Sequence, residues 1–341
     1  MSKTQIPSDR FIQPSPAIVG AVVTISGDKG AGTGFFANIR GKVYIATNQH
    51  VLGVGPRLTI RTSSGEAVIP KQIFTAADAD IALIECVTIP SAVTAIEVAI
   101  LPDSGIVKDD PVSVLGNSKG DGVITQTDGK LIAIGPQRIE VDNPGYPGNS
   151  GSPIIHTASG KSIGVFTEAE LLTFNSFEKA SFKSKNSAIK SEIRYFGHRI
   201  DSVQKWEPLN WNAFQENLSL IALAKEELRA ILGYYTESSD GYKNFRDLHV
   251  ARSAAAKIFY DPTYSNSDHL AAFQRFLRDV DFLARRAYNR FANKRIYFSQ
   301  QRDIESIKMM VEAVGRGTAV AKRDSDLTAT LLDRGGKDSN R

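Results

Sequence analysis

The sequence predicts two kinds of structure in one chain: an all-β region, barrel or sandwich, followed by an all-α region. Three observations lead there. From Ala17 to about Thr167, a dozen short apolar segments alternate with turn signals. After about Phe174, apolar residues recur instead at three- and four-residue spacing. The charge changes at the same place, from 14 Lys/Arg against 17 Asp/Glu in residues 1–180 to 27 against 20 in residues 181–341. A change of sign that coincides with a change of period marks a domain boundary.

The expected strands are, in order, AIVGAVVTI (17–25), GTGFFANI (32–39), KVYIAT (42–47), RLTIRT (57–62), AVIPKQI (67–73), DIALIECV (80–87), DPVSVLG (110–116), VITQT (123–127), KLIAIG (130–135), RIEVD (138–142), SPIIH (152–156) and SIGVFT (162–167). No helical period interrupts them. Gly27-Asp28-Lys29-Gly30 and Asp128-Gly129 read as hairpin turns, because glycine and its polar neighbours tolerate the positive φ that tight hairpins require. Residues 1–14 form an N-terminal segment and 15–175 the β domain.

Beyond it, Ile189, Ile193, Phe196, Ile200 and Val203 fall on one helical face, and Leu218, Ile221, Leu228 and Ile231 on a second. Leu270, Phe273, Leu277, Val280, Ala284, Ala287 and Phe291 form a third, with Ser265 as N-cap and Asp268 near the positive end of the helix dipole. About five helices are expected over 183–318, then a mobile tail at 322–341 rich in Asp, Arg, Gly and Ser. Arg286, Arg290 and Lys294, four apart, form a basic stripe. Nearby acids such as Asp279 and Asp281 favour a solvated helix face over a nucleic-acid surface.

The single cysteine, Cys86, excludes an intramolecular disulfide, and no Cys/His cluster has zinc spacing. No cofactor is expected. No apolar run reaches membrane-spanning length and MSKTQIPSDRFIQPSP lacks the apolar core of a secretory signal, so a cytoplasmic protein without membrane contact is expected. His198, His249 and His269 read as structural or surface residues of helical segments, and His156 as a barrel residue.

PGNSGSP (147–153) surrounds Ser150 with glycine and proline. Taken alone, it fits a plain turn as well as a presented nucleophile. A serine hydroxyl needs a base to react near neutral pH, and the base needs an orienting carboxylate. His50 follows the strand Val43–Ala46, and Asp80 opens the strand Ile81–Cys86. Either residue alone is an ordinary loop residue; the order His50, Asp80, Ser150 within one β region is not.

At this point the sequence resembles the chymotrypsin-fold, trypsin-like serine peptidases, and among them the bacterial Deg/Htr branch. GTGFF (32–36), ATNQHV (46–51), DIAL (80–83) and PGNSGSP match that family's landmark motifs in order, over roughly residues 15–172. The resemblance implies a double β-barrel of chymotrypsin type followed by the helical domain. It implies Ser150 as nucleophile, His50 as general base, Asp80 as the orienting acid, and Gly148 and Ser150 as the backbone donors of an oxyanion hole. Asp78 is left as a surface charge. Pro144, Gly145 and Tyr146, with Thr167, Glu168 and Ala169, would wall the substrate site, and Thr167 and Ala169 would pair with a substrate strand.

Pro144 stands at the pocket-floor position where trypsin has a carboxylate, which favours a small or apolar residue before the scissile bond, while Glu168 leaves a basic one open. Asn149 stands where digestive relatives carry an aspartate that pairs with a new amino terminus, so activation by that ion pair is not expected. Ser152 replaces a common glycine, and helices replace the usual peptide-binding PDZ domain. The expected function is an intracellular serine endopeptidase acting on protein or peptide substrates, with the helical domain binding a protein regulator or substrate. The alternatives are an inactive peptidase fold used as a binding module, or the protease effector of a bacterial stress or defence system.

Overall fold

A computed structural model of the chain describes residues 16–101, 103–174, 190–236 and 267–338. It divides into two compact units, residues 1–211 and 212–341. In the first, a helical turn, Pro16–Ala21, leads into an open sheet. Its strands are β1 (Val22–Gly27), β2 (Gly30–Ile39), β3 (Lys42–Thr47), β4 (Thr59–Thr62), β5 (Ala67–Val68), β6 (Pro70–Ala76), β7 (Ala82–Cys86), β8 (Ile96–Glu97) and, from far down the chain, β15 (Trp206–Pro208). The order is β15-β6-β7-β3-β2-β1-β4-β5, with β8 against β2. The remaining strands are β9 (Pro111–Gly116), β10 (Thr125–Ile134), β11 (Arg138–Val141), β12 (Pro153–His156), β13 (Lys161–Phe174) and β14 (Lys190–His198). They close into a barrel in the order β10-β11-β14-β13-β12-β9. This open-plus-closed pair is the chymotrypsin-type arrangement.

Period-two patterning builds both halves. In β4, Ile60 and Thr62 are buried while Thr59 and Arg61 face out. Ile25, Phe35, Phe36, Ile45 and Ile84 fill the open half. Val112, Val114, Leu131, Ile139, Ile154, Ile163 and Phe166 fill the closed barrel. Each such side chain contributes roughly 1.5–3 kcal/mol by leaving water.

Four expectations are corrected. Ala17–Ala21 is helical, so the first strand starts at Val22. Asp128-Gly129 is not a turn but lies inside β10, paired with Ser113 and Val112 of β9. Asp128 there accepts from Ser113 Oγ at 2.6 Å, which gives its carboxylate a partner across the ladder instead of a role in a turn. The helical face drawn through Ile193 and Phe196 is strand β14, and His198 ends that strand. Ile189 lies outside the described residues. The three- and four-residue spacing is coincidental here: Ile193 is 55% exposed, and the backbone pairs on both sides, with β11 and with β13. Without β14 both those strands would present unpaired edges. Finally, residues 322–338 continue a helix rather than forming a tail. Leu327, Ala329, Leu331 and Leu332 are strong helix formers that outweigh the Asp, Ser and Gly content.

In the second unit the described helices are Trp211–Thr236, which starts at the boundary, Ser267–Asn289 and Phe298–Asp338. Ile221, Leu228 and Ile231 pack with Leu277, Val280, Ala284, Ala287 and Phe291, and with Ile307 and Val314. Ser265 and His249 lie outside the described residues. Arg290 pairs in a fork with Glu227 at 2.7 and 2.8 Å, and Lys294 with Glu216 at 2.7 Å. The helix ends at Asn289, so Arg290 and Lys294 do not extend a helical stripe but tie the turn after that helix to the helix Trp211–Thr236. No described helix is long and apolar enough to cross a membrane.

Because β14 closes the barrel, a chain ending at residue 175 should fail to fold cooperatively. One ending at residue 211 should keep a sharp, single unfolding transition. Denaturant titration followed by near-ultraviolet circular dichroism separates the two outcomes.

Candidate active site

Three segments meet at the site. The first follows β3, where Thr47, Asn48 and Gln49 are fully buried and the chain turns into a short 3-10 helix, His50–Val54. Gln49 Nε2 faces the carbonyls of Ala76, Ala79 and Ile81 at 2.7, 2.8 and 3.3 Å. One side chain therefore braces the whole connection between β6 and β7. That connection carries Asp80, whose carboxylate takes two contacts from one residue: His50 N donates to Oδ1 at 3.1 Å and His50 Nδ1 lies 2.5 Å from Oδ2. The carboxylate accepts, so Nδ1 carries the proton and Nε2 is left as the basic nitrogen. The imidazole is 41% exposed and the carboxylate 12%, a half-open base on a shielded support.

The second segment is the loop at 147–152. Thr33 of β2 holds it: Thr33 N donates to Ser150 O at 2.9 Å and Thr33 Oγ1 to Gly148 O at 2.7 Å. Gly148 and Gly151 have φ of 95° and 89°, in the left-handed region. A Cβ on Gly151 would sit 1.9 Å from Thr33 O, and one on Gly148 2.0 Å from Asn117 O. The glycines answer both a torsion and a close approach. Among the described residues neither the Gly148 nor the Ser150 backbone N–H has a hydrogen-bond partner. Two donors, one on the serine itself and one two residues before it, are thus left for an anion. Asn149 is buried, and Ser118 Oγ donates to its Oδ1 at 2.8 Å, so a neutral hydrogen bond holds this position.

The third segment is β13. Thr167 is an extra residue at a register shift between Phe166 and Glu168, a bulge that frees its backbone from the ladder. Its carbonyl accepts from Ser150 Oγ at 3.3 Å and its hydroxyl lies 3.4 Å from Asp80 Oδ2. Ser150 and Asp80 are joined through this one residue. Among the described residues, Thr167 O is the hydrogen-bond partner of Ser150 Oγ.

The residues singled out in the sequence are therefore placed as follows. His50 and Asp80 are in contact, and Ser150 shares Thr167 with Asp80. Pro144 and Tyr146 are exposed on the approach to the serine loop. Glu168 and Ala169 continue β13 opposite Phe196 and Tyr195, with side chains outside the described set. Asp78 is half-buried and accepts from Gln137. His156 is a buried barrel residue beside Asp110 and Ser159. The sequence reading missed Thr33, although it lies inside GTGFF, and missed the amide pair Asn48-Gln49 inside ATNQHV. It read His198 as a structural or surface residue of a helical segment, whereas His198 ends a strand, is buried and lies within electrostatic reach of Asp80 and His50. Burial holds its imidazole below the ordinary value of 6.5, with Asp80 opposing that shift. Cys86 is a free thiol pushed up to about 11 by burial, which makes it unreactive near neutrality.

Residues 32–165 match the model of the trypsin-like peptidase domain family. No curated protein matches the chain. Among solved structures, an inactive serine-to-alanine mutant of Rv3671c from M. tuberculosis H37Rv is similar at 18% identity, with a TM-score of 0.40 over 56% of this chain and 91% of that one. A serine endoprotease from Yersinia pestis is similar at 21% identity, with a TM-score of 0.38 over 54% of this chain and 60% of that one.

Gly151→Ala should destabilise the protein by about 2 kcal/mol or more, since it adds a forbidden contact to a left-handed torsion. The midpoint of denaturant unfolding measures this, and an unchanged midpoint would show that the loop relaxes. His198 sets a pH slope. Its folded pKa is lowered, so below the unfolded value of about 6.5 the unfolded state binds the extra proton first. Stability should therefore be full above that pH and decline as pH falls through the window, and His198→Gln should flatten the decline.

Proposed function

We propose that the chain is a serine endopeptidase in which Ser150 attacks the scissile carbonyl, His50 moves the proton, and Asp80 holds the imidazole. The observation that carries this reading is the joining of all three through contacts of 3.4 Å or less, with Thr167 as the shared partner of Ser150 and Asp80. The match of residues 32–165 to the trypsin-like peptidase domain supports it, and so does the likeness of the four motifs to the Deg/Htr branch. For reaction, Ser150 Oγ swings from the Thr167 carbonyl to His50 Nε2, which takes its proton as the Oγ–carbon bond forms. The carbonyl oxygen becomes an oxyanion, and the free N–H groups of Gly148 and Ser150 receive it. His50 then returns the proton to the leaving amine as the C–N bond breaks, and water repeats the sequence on the acyl-enzyme.

Substrate would lie along β13, taking backbone hydrogen bonds from the segment Thr167-Glu168-Ala169 by strand addition. The space beside Gly145 is small. A Cβ there would meet Phe166 Cζ at 2.6 Å and Tyr195 Cδ1 at 3.2 Å, and those two rings stack with centroids 6.3 Å apart. A site floored by two stacked rings suits a small apolar residue before the scissile bond. Residues 212–341 supply none of these groups, and we assign them to recognition of a protein partner or substrate. One observation favours the other class, an inactive peptidase fold that binds without cleaving: Ser150 Oγ donates to a carbonyl and not to the imidazole. In the peptidase reading the hydrogen bond from Ser150 Oγ to His50 forms once substrate is bound, as catalytic hydrogen bonds commonly do.

Kinetics on a small ester and on peptides separates them. Ser150→Ala and His50→Ala should each lower kcat by about 10⁴–10⁶, and the double variant little further, because the residues act as one unit. Losses that add would count against a shared triad, and no turnover by the unmodified chain would leave the binding module. Tyr195→Ala should deepen the pocket and shift preference towards larger apolar residues. Unchanged preference would place the specificity pocket elsewhere.

A further inference from the structure

We propose that Asn48 is a positioning residue that aims the hydroxyl proton of Thr167 at Asp80, and so sets how tightly His50 holds its proton. The inference rests on the reading of His50, Asp80 and Ser150 given above and adds a residue to it. It follows from counting hydrogens. The backbone oxygen of Asp80 can only accept, so the Asn48 atom 2.7 Å from it is Nδ2 and not Oδ1. The same nitrogen lies 2.7 Å from Thr167 Oγ1. Both amide hydrogens are then committed, one to each oxygen.

Thr167 Oγ1, having accepted from Asn48, keeps a single hydrogen to give away. Among the described residues the acceptor within its reach is Asp80 Oδ2, at 3.4 Å. This is the oxygen that faces His50 Nδ1. A buried amide thus dictates the direction of a hydroxyl, and the hydroxyl draws charge from the carboxylate oxygen that supports the base. Asn48 is fully buried and Thr167 nearly so, which strengthens each step relative to water.

A second observation shows that Asn48 is not there for its own satisfaction. Its Oδ1 is buried without a hydrogen-bond partner among the described residues. An orphaned buried acceptor is costly, and an apolar residue of similar volume would avoid the cost. The amide is retained for what its nitrogen does. Remove it, and the Asp80 carbonyl loses its donor while the Thr167 hydroxyl is free to turn away from Oδ2. The carboxylate then carries more charge against Nδ1, and the imidazole protonates more readily.

The test uses the full chain and three variants, Asn48→Leu, Thr167→Val and the double variant. Two readouts apply: the acid limb of the pH profile of kcat/KM on an ester substrate, and the downfield proton resonance of His50 Nδ1–H. Each single variant should move the acid limb to higher pH, lower kcat/KM at neutral pH by roughly tenfold, about one hydrogen bond's worth of rate, and shift the resonance. The double variant should move nothing further. An acid limb and resonance at their original positions, with activity lost only in proportion to folded protein, would overturn the proposal, as would shifts that add in the double variant. Asn48→Ala gives the same comparison if Asn48→Leu does not fold, and failure of both to fold assigns Asn48 a purely structural role. The resonance reads the His50–Asp80 contact whether or not the chain cleaves anything, so loss of the peptidase reading and loss of this one are told apart.

Discussion

The clamp of Thr33 on the serine loop is the constraint from which the rest of the site follows. Its backbone N–H and its hydroxyl donate to Ser150 O and Gly148 O, its hydroxyl accepts from Asn117 N, and its carbonyl accepts from Thr47 Oγ1 at 2.6 Å. Thr33 and Thr47 belong to the open sheet, Asn117 follows a strand of the closed barrel, and Ser150 lies on the loop between β11 and β12 of that barrel. One β-strand residue therefore fixes where the two halves of the first unit meet. The left-handed torsions at Gly148 and Gly151 are a consequence, because backbone this close to Thr33 and Asn117 leaves no room for a Cβ. With their carbonyls turned to Thr33, the N–H groups of Gly148 and Ser150 are left for an incoming anion.

In the mechanism proposed above, the two halves divide the chemistry. The open sheet supplies the base and its support: His50 sits at the end of β3, and the β6–β7 connection holding Asp80 is braced by Gln49. The closed barrel supplies the nucleophile loop and the strand β13 on which a substrate would lie. Thr167 is where they are sewn together, because a bulge at one residue lets its carbonyl meet Ser150 while its hydroxyl meets Asp80 and Asn48. Preorganisation of this kind lowers a barrier only if the groups are held before the substrate arrives. Buried amides and threonines do the holding, each fixed by hydrogen bonds in the folded chain.

His50, Asp80 and Ser150 were legible in the sequence because each sits in a contiguous motif whose local geometry is self-contained: a strand end, a strand start, a glycine loop. Thr33, Asn48 and Gln49 lay inside two of the same motifs, yet their roles depend on partners brought near by the fold, as with Thr33 and Gly148, 115 residues apart. Nothing in a short window shows such a partner. Strand β14 was misread for a related reason. Ile193 and Phe196 happen to be three apart, and only the unpaired edges of β11 and β13 show that a strand must come there. Asp128-Gly129 has turn composition but is spent on cross-strand pairing. The helical period through Leu277, Val280, Ala284 and Ala287 was read correctly, because a long amphipathic face repeats its evidence several times.

The central claim is that Ser150 is a nucleophile activated within this constellation, and covalent capture tests it most directly. The intact mass of the full chain is measured after treatment with a fluorophosphonate, and the modified peptide is sequenced. The account predicts one adduct per chain, on Ser150, formed far more slowly when His50 is replaced by alanine. No adduct under any condition, or an adduct at another residue, would contradict it.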